Sequence, residues 1–205
     1  MARTRKSKPE GPVVFVLHVS LEGIQPLIWR RIQVDGGFTL HALHHTLQAA
    51  MGWTDAHLHD FYIDGKRYVL PNPEEDWGRP AVDERTVRLD ALLKKGMEFR
   101  YQYDFGDSWD HRIRVESVHS VDSPLGVGYV ENGENACPPE DSGGIPGYQE
   151  FLDALQESPR SEEMKEFLRW AGEDFDPTRF DRFAANAALL RMGWNRWVVL
   201  DGEDD

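Results

Sequence analysis

The chain has little of what most export, redox and cofactor-dependent proteins require. Its 205 residues include a single cysteine, Cys137, which excludes an internal disulfide framework and suits a reducing cytosol. No apolar run approaches the roughly 20 residues of a membrane-spanning helix, and the N-terminus lacks the apolar segment of a secretory signal. Asp104-Phe105-Gly106 matches a kinase signature by three letters only, without a glycine-rich phosphate loop. These absences favour a cytoplasmic protein without a nucleotide-binding motif.

Basic residues are also scarce. Lys and Arg number 23 against 36 Asp and Glu, a net charge of -13, although Arg3, Arg5, Lys6 and Lys8 lie in the first eight residues. An acidic body repels phosphate backbones, so tight DNA binding is not expected outside this N-terminal tail. We predict that residues 1-12 form a disordered basic tail, with a nucleic-acid-binding arm as the alternative.

What the chain does contain predicts a folded domain, since 40% of its residues are hydrophobic and seven are Trp. Apolar residues alternate through 13-34, which predicts a β-hairpin. Thr39 is a suitable N-cap for a helix over 40-51, and Gly52 ends that helix. Residues 58-68 predict a second hairpin that turns at Asp64-Gly65.

The most distinctive stretch is rich in aromatic, acidic and imidazole side chains. Residues 99-105 alternate aromatic with polar side chains and predict a half-buried strand, and residues 109-115 predict the strand that returns from it. Gly106-Asp107-Ser108 supplies the turn. We expect Tyr103 and Trp109 to face the core of this third hairpin.

The composition changes after residue 120. Residues 121-146 are rich in Gly and Pro and predict a long loop, and residues 147-200 predict a helical C-terminal part packed on an α+β core over 13-120. Asp176-Pro177 predicts the start of one of these helices. The predicted class is α+β, with a mixed or antiparallel sheet of hairpins, a packed helix and a β-grasp-like order of elements.

The turn of the third hairpin is the main candidate site, and we call it the hairpin mouth. Its candidate functional cluster is Asp104, Asp107, Trp109 and His111. Acids and a histidine gathered at one turn suit a divalent cation or acid–base chemistry. The alternatives are that the aspartates only cap local backbone N–H groups, or that Arg100 or Arg112 neutralises them.

Histidines elsewhere extend the metal hypothesis. His57 and His59 share a strand face about 7 Å apart, so the predicted ligands are His57, His59, Asp104, Asp107 and His111.

His41 and His45 also have a ligand spacing on the predicted helix, although a solvated helix face is the simpler interpretation. His44 is predicted to be a buried, hydrogen-bonded core residue. Cys137, Glu140 and Asp141 are further candidates, since a thiol beside two carboxylates suits a ligand or a reactive group; a structural cysteine is the alternative.

Several colinear motifs carry a resemblance that spans roughly residues 13-190. They are Ile28-Trp29-Arg30-Arg31, Thr39-Leu40 with His44, Met51-Gly52-Trp53, His57-Leu58-His59-Asp60-Phe61, the stretch 101-111, Ala136-Cys137-Pro138-Pro139-Glu140-Asp141-Ser142-Gly143-Gly144, Gly147-Tyr148, and Phe175-Asp176-Pro177 with Phe180-Asp181. In these motifs the chain resembles the plasmid pRiA4b ORF-3-like family. The resemblance implies an α+β fold. For function it implies an uncharacterised protein, because most members are described in this way. Some members carry a transposon-resolvase label by association with mobile elements.

The residues do not favour recombination chemistry. A recombinase needs a Ser or Tyr nucleophile and clustered arginines, whereas the dense arginines here, Arg30-Arg31 and Arg112 with Arg114, lie on predicted strands. We therefore expect a cytoplasmic, non-enzymatic binding or interaction module that takes a protein partner or a small ligand, associated with mobile elements through the resemblance. The alternative is a metal-dependent hydrolase that uses the hairpin mouth.

Overall fold

A computed structural model describes residues 11–71, 80–156, 161–172 and 174–195. The basic tail predicted over residues 1-12 lies outside the described residues apart from its last two positions. The helices and strands are β1 Val13–Leu21, β2 Ile28–Asp35, α1 Leu40–Met51, β3 His59–Ile63, β4 Lys66–Val69, β5 Val82–Asp83, a 3-10 turn Glu84–Thr86, α2 Leu89–Leu92, β6 Glu98–Tyr103, β7 Trp109–Ser120, β8 Tyr129–Glu134, α3 Gly144–Leu155, α4 Glu162–Ala171 and α5 Arg182–Trp194. Over these residues, no helix is both long and apolar enough to cross a membrane.

The strands form one sheet in the order β5-β4-β3-β6-β7-β1-β2-β8. All neighbours pair antiparallel except β4 and β5, so the sheet is mixed. The three predicted hairpins are β1–β2, β3–β4 and β6–β7. The α+β class is therefore confirmed, and strand β1, which lies between β7 and β2, is almost wholly buried.

Helix α1 has the bounds that its capping residues predict. The Thr39 side chain accepts a hydrogen bond from the Ala42 N–H at 3.2 Å, and Gly52 ends the helix with φ of 93°. Glycine adopts this left-handed conformation without the steric cost that a Cβ atom would add. The buried stripe of α1 contains Leu43 and Leu47, and His44 is buried beside it as predicted.

The prediction of a continuous loop over 121-146 is wrong, because this segment contains edge strand β8. Of the six residues of β8 only Val130 is buried and three are Asn or Glu, so the segment lacks the alternation that identifies a strand. Long-range contacts hold it instead. The Asn186 side chain bonds both the N–H and the C=O of Val130, and Arg30 donates to the Glu134 carbonyl oxygen.

The C-terminal helices also differ from the prediction in detail. Asp176 caps a local turn by accepting the Thr178 N–H, and α5 begins only at Arg182, where Asp181 is the N-cap. The helix start predicted at Asp176-Pro177 is therefore wrong. Helix α5 packs against α1 and β8 through Ala185, Leu189 and Met192.

Candidate functional site

The hairpin mouth is built by a tight turn between β6 and β7. Asp104 and Ser108 have φ of 54° and 58°, which places both in the left-handed region that Asp tolerates better than most residues. The Oδ1 atom of Asp104 accepts the N–H groups of Gly106 and Asp107 at 2.9 and 3.3 Å. The second oxygen, Oδ2, accepts no hydrogen bond from the residues that the structure describes, and it faces His57.

His57 lies in front of that free oxygen. Its Nε2 atom is 3.7 Å from Asp104 Oδ2 and 3.2 Å from Asp141 Oδ1. Neither contact has the alignment of a hydrogen bond, and this buried nitrogen has no hydrogen-bond partner in the part of the chain that the structure describes. One ring nitrogen and two carboxylate oxygens thus lie within 4.8 Å of one another, which is a spacing that suits a metal ion. We call this set the mouth triad.

Loop 136-143 brings Asp141 to the mouth triad and is fastened at several points. Glu140 Oε1 accepts the Tyr103 hydroxyl at 2.6 Å and the Thr54 N–H at 3.1 Å. Trp53 donates its indole N–H to the Pro138 carbonyl at 2.9 Å. Burial and the Glu140 carboxylate raise the pKa of Tyr103, so its hydroxyl stays protonated and remains a donor.

The same loop forms one wall of an open cleft of about 600 Å³. Its other walls are the end of α1, Trp53 and the segment around Phe180 and α5. Cys137 lies in this wall. Burial raises the pKa of Cys137 to about 12, against the opposing effect of Arg30, so its thiol is protonated at neutral pH. This environment fits the structural alternative for Cys137 rather than a reactive group.

The remaining predicted ligands, and Trp109 of the candidate functional cluster, do not join the mouth triad. Asp107 uses Oδ2 to accept the Gly143 N–H at 3.1 Å, and Trp109 lies in the core with 1% exposure. His111 is buried beneath Trp53, donates from Nδ1 to the Trp109 carbonyl, and its pKa falls to about 4 because of burial. Of the five predicted ligands, the structure brings together His57 and Asp104.

His59 points instead to a second group of histidines and acids, which we call the α1 histidine cluster. This group was not predicted as one site, and its members are His41, His44, His45, Asp55, His59 and Glu84. The spacing of His41 and His45 was the one signal in the sequence. The two carboxylates come from separate loops, and nothing near them in the sequence marks them as partners of the helix.

The carboxylates of the α1 histidine cluster are strongly hydrogen bonded. Burial raises the pKa of Glu84, but hydrogen bonds from His41 and His59 outweigh this and lower it to about 2. Burial also raises the pKa of Asp55, but hydrogen bonds from His44 and His45 outweigh this effect and lower the pKa well below its usual range.

His44 itself stays neutral, because its burial lowers its pKa to about 4. Its Nδ1 atom lies 2.8 Å from the Tyr101 hydroxyl, which donates to it.

Comparisons with known proteins find relatives of similar sequence and similar structure. A 40% identical relative from Sinorhizobium fredii is the uncharacterized protein y4hQ, over 176 residues that make up 85% of this chain and 87% of the relative. A crystal structure of a protein of unknown function, MM3350 from Methanosarcina mazei Go1, superimposes with a TM-score of 0.74 at 36% identity, covering 84% of this chain and 97% of the other.

A family model described as plasmid pRiA4b ORF-3-like protein matches residues 13–184. That range includes both the hairpin mouth and the α1 histidine cluster. The chain belongs to the plasmid pRiA4b ORF-3-like protein family.

Proposed function

We propose that the protein is a non-enzymatic binding module whose hairpin mouth holds a divalent cation between His57, Asp104 and Asp141. The observation that carries this proposal is the buried Nε2 atom of His57, which faces two carboxylate oxygens without a hydrogen bond to either. A buried nitrogen without a partner is costly, and a cation at this point satisfies it together with both oxygens.

Charge balance supports the same proposal. Two ionised carboxylates beside a neutral imidazole carry a charge of -2, which a divalent cation neutralises. Oxygen donors in the majority favour Mn²⁺, and the one nitrogen also suits Zn²⁺. Asp141 has 67% of its side chain exposed, so solvent reaches the mouth and completes the coordination of the ion.

The cation would link loop 136-143 to the β6–β7 hairpin. Because residues 136-140 form a wall of the 600 Å³ cleft, fastening Asp141 fixes the shape of that wall. We therefore propose that the cleft takes a small organic ligand or a side chain of a protein partner, and that the cation supports this binding indirectly.

A metal-dependent hydrolase is the second candidate, since the open side of the mouth suits a metal-bound water. Hydrolysis also needs a general base within reach of that water. The adjacent carboxylate, Glu140, already accepts hydrogen bonds from Tyr103, the Thr54 N–H and the Thr54 hydroxyl. The site geometry therefore favours binding over hydrolysis.

The partner class is limited by charge. The exposed arginines on the outer face of the sheet are paired with acids, as in Arg100–Asp110, Arg112–Glu22 and Arg114–Glu116. Paired cations attract phosphates weakly, so we propose no tight DNA binding by this face. Any DNA binding is assigned to the basic residues 1-8. A cytoplasmic location and an association with mobile elements remain part of the proposal and rest on the single cysteine and on the family.

The test measures Mn²⁺ binding to the metal-stripped protein by calorimetry and by electron paramagnetic resonance. We expect His57→Ala and Asp104→Asn to weaken binding at least about tenfold, whereas His119→Ala, at an exposed histidine, leaves it unchanged. Asn keeps an oxygen that can cap the turn, so Asp104→Asn tests the charge rather than the fold. Equal Mn²⁺ binding by the wild type and both mouth variants would refute the proposed site.

A further inference from the structure

Within the α1 histidine cluster, four side chains contact one another in series: a carboxylate, two imidazoles and a second carboxylate. Glu84 Oε1 lies 2.8 Å from His41 Nδ1, His41 Nε2 lies 3.1 Å from His45 Nε2, and His45 Nδ1 lies 3.2 Å from Asp55 Oδ2. His41 and His45 occupy adjacent turns of α1, so the helix itself sets their separation. Each imidazole thus has one nitrogen facing an acid and one facing the other imidazole.

A count of protons shows that this series is incomplete as it stands. The His41–Glu84 and His41–His45 contacts are hydrogen bonds, and the His45–Asp55 contact is an ion-pair distance at which a proton on Nδ1 is also favoured. All three contacts together favour three protons, whereas two neutral imidazoles carry two. The carboxylates accept only, so each outer contact takes the proton on Nδ1. The two Nε2 atoms, 3.1 Å apart, then both present lone pairs, so the hydrogen bond at this distance lacks its proton. One extra proton between the two atoms would complete the contact, and so would a cation that lies beside them within about 2.1 Å of both.

The orientation of the rings is the one that metal-binding histidines have. A histidine ligand usually donates its other ring N–H to a carboxylate or carbonyl, which fixes its tautomer and raises its basicity. Here Glu84 has this role for His41, and Asp55 has it for His45. Two histidines at positions i and i+4 of a helix are also a recurring metal-binding pair.

Both carboxylates are held rigidly by groups outside this series of four. Glu84 has a side chain with 0% exposure and also accepts from His59 Nε2 at 2.9 Å. Asp55 Oδ1 accepts from His44 Nε2 at 2.7 Å, and the rings of His44 and His59 stack at 3.5 Å. The two outer contacts are therefore set by the fold and not by the loose rotamers of surface residues.

The charge of the two carboxylates and the exposure of the two histidines to solvent favour a divalent cation over a shared proton. The two carboxylates carry a charge of -2, which one proton compensates by half and a divalent cation compensates fully. The side chains of His41 and His45 are 29% and 25% exposed, so an ion between them can take solvent ligands. The position is thus reached from solvent, while Glu84 is buried and Asp55 is partly exposed.

We propose that His41 and His45 form a second metal site, which binds a borderline divalent cation such as Ni²⁺, Cu²⁺ or Zn²⁺ through both Nε2 atoms. Asp55 and Glu84 are positioning residues for this site. Two nitrogen ligands suit these ions better than Mn²⁺, whereas the mouth triad is rich in oxygen. The inference is independent of the function proposed for the hairpin mouth.

The experiment titrates metal-stripped full-length protein with Ni²⁺ by calorimetry and records the Cu²⁺ complex by electron paramagnetic resonance. We expect His41→Ala and His45→Ala to weaken Ni²⁺ binding about 100-fold, and Asp55→Asn to weaken it about tenfold or more. Coupling of Cu²⁺ to two nitrogens should persist in Asp55→Asn and fall to one in His45→Ala. If Asp55 only stabilised the fold, Asp55→Asn would not lower the Ni²⁺ affinity while Cu²⁺ stays coupled to two nitrogens.

Two controls separate this site from the hairpin mouth. His57→Ala should leave Ni²⁺ binding by the α1 pair intact, and His119→Ala should have no effect, while circular dichroism verifies that each variant is folded. If folded His41→Ala and His45→Ala bind Ni²⁺ as the wild type does, the proposal is wrong. It is equally wrong if the wild type binds no Ni²⁺, because the pair then shares a proton only.

Discussion

The hairpin mouth and the α1 histidine cluster gather the same residue types by opposite means. At the mouth, Asp104 and Asp141 adopt left-handed backbone conformations in turns, and Asp141 is largely exposed. In the cluster, three histidines project from one helix, and Glu84 is wholly buried. The mouth depends on loops packed over the aromatic side chains of Trp53, Tyr103 and Trp109, which we call its apolar floor. The cluster depends instead on a closed hydrogen-bond network.

This difference explains their different chemistry. Turns expose carboxylate oxygens and leave one of them free, which makes the mouth an oxygen-rich site. A helix spaces imidazoles at a fixed separation, and Glu84 and Asp55 then fix their tautomers, which makes the cluster rich in nitrogen donors. Neighbouring parts of one small fold are thus the two sites that we propose for two classes of divalent ion.

The largest expected effect comes from removing the apolar floor of the mouth. Trp109 is 1% exposed and stacks with Trp53, whose ring also stacks on Tyr103. We predict that Trp109→Ala lowers the free energy of unfolding by about 3–5 kcal/mol, since it leaves a large cavity. Urea denaturation measures this. Trp194→Ala is the matched control, because Trp194 is 89% exposed, and it should change stability by less than about 0.5 kcal/mol.

Two tyrosines on β6 allow the regions to be compared by the same small change. Tyr101 accepts from Gln48 at 3.0 Å and donates to His44, so Tyr101→Phe leaves two buried polar groups unpaired and should cost about 1–3 kcal/mol. Tyr103 donates to the half-buried Glu140 and accepts from the N–H of the exposed Ala56. Because solvent can replace both partners more readily, Tyr103→Phe should cost only about 0.5–1.5 kcal/mol. Denaturation midpoints test the order of the two costs. A larger loss for Tyr103→Phe would contradict the view that the cluster is the more tightly bonded region.

The last prediction concerns acid sensitivity, which is observed only below about pH 6.5. The pKa of His111 is about 4 in the folded protein and about 6.5 in the unfolded chain, so the unfolded state binds more protons below pH 6.5. Its contribution is complete above pH 6.5 and is lost as the pH falls toward 4, by at most about 3 kcal/mol. His111→Gln should therefore flatten the fall in stability between pH 6.5 and 4, measured by urea denaturation at each pH. His119→Gln should keep the wild-type slope.

Much of the fold could be predicted because local signals agree with tertiary contacts. Thr39 and Gly52 mark both ends of α1, and Asp64-Gly65 marks the turn of β3–β4, where both residues have positive φ. Strand β8 could not be predicted, since its stability comes from contacts with Arg30 and Asn186 rather than from its own pattern.

The sites follow the same rule. Asp104 was predicted because the turn that presents it is local. His57 was predicted from a strand face shared with His59, although β3 begins only at His59. Asp141 was a candidate without an assigned partner, since its approach to the mouth depends on how loop 136-143 packs on Trp53 and Tyr103. Glu84 was not predicted, because a buried acid is recognised only once its histidine partners are placed around it.

Anomalous diffraction from crystals soaked in Mn²⁺ tests the central claim most directly. The account predicts a peak at the hairpin mouth, about 2.0–2.6 Å from His57 Nε2 and from one carboxylate oxygen each of Asp104 and Asp141. The His57→Ala protein should lose this peak under the same conditions. A wild-type map without a peak at the mouth, in which His57 instead makes an aligned hydrogen bond to Asp141, would contradict the account.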